Sequence, residues 1–80
     1  MAQGDNVPDQ QITVYVYLPD EAVDVWRPVK GTVLGPDIVR IDDIVPEDEI
    51  WEFLPGEIVR VRERRLSDGV HLVAIEAIED

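Results

Sequence analysis

The sequence has no cysteine. No disulfide can therefore staple the fold, and no thiolate is available to hold a metal or attack a substrate. It has one histidine, His71, and one serine, Ser67, in a turn-like stretch, and no nucleophile–base pair assembles from these two. No apolar run approaches the roughly 18 residues that span a bilayer. The N-terminus shows no basic segment leading into an apolar one, so the expectation is a cytoplasmic protein without a membrane partner. No segment sustains an i, i+3, i+4 apolar stripe, which argues against long helices. There is no Gly-rich phosphate loop. Gly31, Gly35, Gly56 and Gly69 each fall at a bend, where positive φ or close backbone approach accounts for glycine. Basic residues are also scarce, at seven against eighteen acids, for a net charge of −11.

What is present is a chain of 80 residues, 45% apolar, enough for one small core and not two. Residues 1–10 are polar and turn-forming and read as a flexible tail, leaving 11–80 as a single domain. From Gln11, the residues Ile12, Val14, Val16 and Leu18 alternate with Thr13, Tyr15 and Tyr17, the period of a strand with one aliphatic and one tyrosine-bearing face. A second strand runs from Val23 through Val33, with Pro28 marking an edge or a bulge because it cannot donate to a ladder. A third spans Ile38 to Ile44. Asp43 then stands ready to cap a single helical turn at Pro46–Glu49, and Trp51 and Phe53 bury their rings on one side of a short extended piece. The last two strands, Glu57 to Leu66 and Val70 to Ile78, flank a Ser67-Asp68-Gly69 turn. The final strand is apolar on both faces, so it is expected to be central or covered. Short strands punctuated by Gly and Pro predict an all-β fold. The form expected is a small five-stranded SH3-like barrel or curled antiparallel sheet, with at most one short helical turn.

Charge is unevenly placed along the chain. Between Asp20 and Glu57 the net charge is 3 − 11 = −8, and from Ile58 to Leu66 it is 4 − 1 = +3. Two candidate faces follow. One gathers Asp42, Asp43, Glu47, Asp48, Glu49 and Glu52 around Trp51. These carboxylates lack the alternating ligands and central glycine of a calcium loop, so no metal and no cofactor is expected. Without a cleft to separate two pKa values, they are not an acid–base pair either. The other face interleaves Trp26, Tyr15 and Tyr17 with Arg27 and the row Arg60, Arg62, Arg64, a stacking platform for bases or for a peptide's proline.

The segments DVWRPVKG (Asp24 to Gly31) and VPEDEIWEFLPGEIVR (Val45 to Arg60) resemble a group of small bacterial proteins of unassigned function. In that group a VWRPV segment precedes a PEDE-W-F-PG segment and a valine-rich strand. The resemblance covers most of Val14 to Ile75 and implies no activity. The run RVRERR from Arg60 to Arg65 is more basic than that pattern.

The leading functional expectation is a non-enzymatic acidic protein whose residues around Asp42–Glu52 bind a basic protein surface. One form of it is a nucleic-acid-mimicking inhibitor of the kind that phages and mobile elements encode. The alternatives are a barrel binding a ligand or single-stranded nucleic acid through the aromatic and arginine residues, and a homo-oligomer whose acidic and basic faces meet. The charge of −11 opposes nucleic acid.

Overall fold

The computed structural model describes residues 10–78. The expected tail falls outside them except for Gln10, whose carbonyl accepts the Val33 N–H at 2.9 Å. Five strands run in order: β1 (Gln11–Tyr17), β2 (Trp26–Gly35), β3 (Ile38–Ile41), β4 (Ile58–Leu66) and β5 (Gly69–Ala77). Each pairs antiparallel with the next, and a parallel contact between β1 and β5, registered at Tyr15↔Val73, closes the barrel. A small five-stranded barrel is thus the architecture, reached by the simplest up-and-down path.

Period-two alternation decides which side chains fill it. Val14 and Val16 of β1, Val29 of β2, Val39 and Ile41 of β3, Val59 and Val61 of β4 and Ala74 of β5 point inward and are buried. Stiff β-branched side chains suit so narrow an interior. Leu18, Trp51 and Phe53 complete the core from outside the strands. The two rings share a side as expected, and Trp51 is only 4% exposed.

Several boundaries differ from the expected ones. The second strand begins at Trp26, since residues 19–23 form turns and bends and Val23 is exposed. β2 is interior to the sheet order, yet Pro28 is tolerated. Pairing with β3 covers only Gly31–Gly35, so at Pro28 the ladder exists on the β1 side alone. The bulge lies further on, between Val33 and Gly35. β3 stops at Ile41, and Asp43 does not cap a helix. Its carboxylate instead accepts the Lys30 N–H at 3.2 Å and the Ile44 N–H at 3.0 Å, supplying an acceptor where β3 has ended. Pro46–Glu49 is a turn closed by the Glu49 N–H on the Pro46 carbonyl at 3.1 Å, and no helix occurs among the described residues.

Gly31 is held by contact, because a Cβ there would come within 2.4 Å of Val39 Cγ1. The turn after β2 has its positive φ at Asp37, with φ 60, rather than at Gly35. Like Asn, Asp tolerates this region better than other non-glycine residues.

β4 is paired with β3 only through Ile58–Arg60, whereas its pairing with β5 runs from Val59 to Leu66. The far half of β4 therefore overhangs the barrel with a strand on one side only. β5, between β4 and β1, is covered on both faces at one point. Val73 is fully buried, yet it stands outside the central core cluster and faces outward beside Tyr15.

Candidate functional site

That outward burial marks the site. Cross-strand register places Tyr17 opposite Trp26 and Tyr15 opposite Pro28 on one outer face of β1 and β2. The Tyr17 and Trp26 ring centroids are 5.1 Å apart at 58°. Parallel closure brings β5 alongside, and His71 packs on Tyr15 with centroids 4.3 Å apart and planes 33° from parallel. All four rings are half-buried and none belongs to the core. Arg64, reaching over from β4, holds its guanidinium carbon 5.4 Å from the centre of the Trp26 ring, within cation–π range.

Two hollows flank Trp26. One, of about 510 Å³, is walled by Tyr15, Trp26, Arg64, Arg65 and the β4–β5 turn with Asp68. The other, of about 340 Å³, has Ala74 and Ile75 with Tyr17 and Trp26 as its less polar walls, and Asp24, Glu52 and Arg64 as its charged ones. Asp24 lines both hollows and accepts a hydrogen bond from the Tyr17 hydroxyl at 2.9 Å. That bond, followed by partial desolvation and the Asp24 charge, raises the Tyr17 pKa. Glu52 is tied at its backbone, its N–H donating to the Tyr17 carbonyl at 2.9 Å. Its carboxylate makes no ion pair among the described residues, and desolvation pushes its pKa up. His71 Nε2 lies 2.9 Å from Asp68.

The acids of the first candidate face are mostly occupied within the chain. Asp42 accepts from the Thr32 hydroxyl and, at 2.9 Å, from Arg40 Nε, and these two hydrogen bonds lower its pKa. Asp43 is a backbone acceptor, as described. Glu49 accepts both arms of Arg27 and, at 2.9 Å, the Trp51 indole N–H; the Arg27 bond first and the indole second hold its pKa down. Trp51, expected to flank an open acidic surface, is core. Only Glu47, Asp48 and Glu52 of that set are exposed without a hydrogen bond or ion pair from their carboxylates among the described residues. Glu52 belongs with the aromatic rings instead.

The second face is brought together in part. Tyr15, Tyr17, Trp26 and Arg64 meet. Arg27 does not join them, because alternation turns it to the side opposite Trp26, where it pairs with Glu49. Arg60 is engaged by Glu76 at 2.7 Å. Arg62 is exposed and lines neither hollow. The sequence reading missed Asp24, Asp68 and His71 as neighbours of the rings. The available signal was parity: His71 precedes Val73 by two, so the register that sets Val73 beside Tyr15 also puts the imidazole on the tyrosine face.

Among the described residues no group of three His, Asp or Glu side chains is placed to hold a metal ion. Comparison of the chain with family models, with curated proteins and with solved structures found no match.

Proposed function

We propose that this protein is a non-enzymatic interaction domain that binds a basic segment of a partner protein through the Tyr15–Tyr17–Trp26 face of the barrel. The observation that carries the reading is the gathering of four half-buried rings outside the core, rimmed by Asp24, Glu52 and Asp68. An aromatic surface that keeps water on one side and carboxylates at its edge suits an extended chain bearing cations. The net charge of −11 steers such a segment inward and disfavours phosphate backbones. The acids at Asp42, Asp43 and Glu49 serve this reading indirectly, by fixing the loop that carries Glu52.

The two indoles report the outcome separately. In an amide and indole NMR titration with a short arginine-rich peptide at low salt, the Trp26 indole N–H and the Tyr17 amide are expected to shift, while the Trp51 indole stays in place. Shifts confined to residues 42–49 would return the binding site to the acidic loop. A response to a short thymidylate strand, with none to the peptide, would replace this reading by single-strand binding.

A further inference from the structure

The hollow of about 340 Å³ between Tyr17 and Glu52 carries more than a general preference for positive charge. Its Trp26 wall already receives a guanidinium, that of Arg64. Arg64 makes no ion pair among the described residues that would compete with the ring for it. Two carboxylates face the same space. Asp24 is oriented by the Tyr17 hydroxyl, and Glu52 stands partly desolvated with no ion pair among the described residues. A carboxylate in that state is stabilised by any cation brought against it. The volume accommodates one long side chain and not a folded element.

Resting on the reading above, we infer that this hollow is the receptor for a single arginine or lysine side chain of the partner, and that Arg64 is its internal stand-in on Trp26. The incoming cation takes the ring face and the two carboxylates together, and Arg64 swings off into solvent. Arg64 is then a competitor of the ligand rather than a contact to it, and its removal strengthens binding.

The probe is a peptide of glycine, serine and proline with one central arginine, beside the same peptide with neutral citrulline. Arg64→Met keeps the side-chain stem, and Arg62→Met makes the same charge change away from the hollow. Arg64→Met is expected to bind the arginine peptide about two- to fivefold more tightly, the size of an exposed cation–π contact. Arg62→Met is expected to match the wild type, while Glu52→Gln and the citrulline peptide lose affinity. The amide spectrum of each variant confirms the fold.

If the wild type binds the peptide with Trp26 responding, but Arg64→Met binds equally or more weakly, the stand-in role is wrong and the aromatic-face reading survives. Equal gains for Arg62→Met and Arg64→Met would reduce the effect to net charge and overturn it too. Absence of any binding removes both readings.

Discussion

Asp42 and Glu52 are carboxylates ten residues apart whose surroundings move them in opposite directions. Asp42, bonded by Thr32 and Arg40, titrates below its ordinary value of 3.8 when folded. Its stabilising contribution is whole above that value and is lost as pH falls through the folded pKa. Glu52, partly desolvated, titrates above its ordinary 4.5. It weighs against the fold while ionised, and this burden lifts as pH falls through its folded pKa. Asp42→Asn is therefore expected to lower the thermal midpoint at pH 7, with the gap to wild type closing below pH 3.8. Glu52→Gln is expected to raise the midpoint at pH 7, with the gain fading as pH falls through the raised folded pKa and gone below pH 4.5. Melting curves across pH check both signs. A residue that costs stability where it stands is consistent with one kept for binding. None of this was legible along the chain, where both are acids in an acidic stretch. Their difference comes from the Thr32 and Arg40 hydrogen bonds on Asp42 and from partial desolvation of Glu52, and the fold supplies both. The burial of Trp51 was legible beside Phe53, whereas its indole N–H being spent on Glu49, itself held by Arg27, was not.

At the scale of elements, alternation was enough to place every strand, because aliphatic side chains recur with period two wherever one face is covered. Ends were less legible. β3 stops at Ile41 because β4 begins at Ile58, opposite Arg40, and offers no ladder partner beyond it, and nothing in Asp42-Asp43-Ile44 announces this. The covered outer face of β5 was readable from its composition, and Val73 is where that cover is complete. The seam it occupies has one registered pair, against seven between β1 and β2, so side-chain packing has to supply what the ladder does not. Val73→Ala is expected to cost roughly 1.5–3 kcal/mol, as burial of a valine in a core does. It is also expected to speed amide exchange at the β1–β5 seam more than within the β4–β5 hairpin. Urea denaturation with hydrogen-exchange NMR tests this, and a loss below about 0.5 kcal/mol would make Val73 an ordinary surface position.

For the whole molecule, −11 on 80 residues means that folding concentrates like charge. The arginine–carboxylate pairs among the described residues, Arg27–Glu49, Arg40–Asp42 and Arg60–Glu76, offset little of it, since exposed pairs are weak. Sodium chloride is therefore expected to raise the thermal midpoint at pH 7 by roughly 4–8 °C, the shift that about 1 kcal/mol produces in a domain of this size. Calorimetry at several ionic strengths measures it. A midpoint that falls with salt would show that local pairing outweighs global repulsion.

The overhanging half of β4 bears on how copies of the chain behave when crowded. An unpaired strand edge invites a second molecule to add its own strand, and repetition of that step builds a fibril. Here the inviting edge reads Arg62-Glu63-Arg64-Arg65, so a neighbour docking the same edge would bring arginine against arginine at about 4.8 Å across the ladder. The arginines that interrupt the chain's acidity thus also leave this open border of β4 inhospitable to polymerisation.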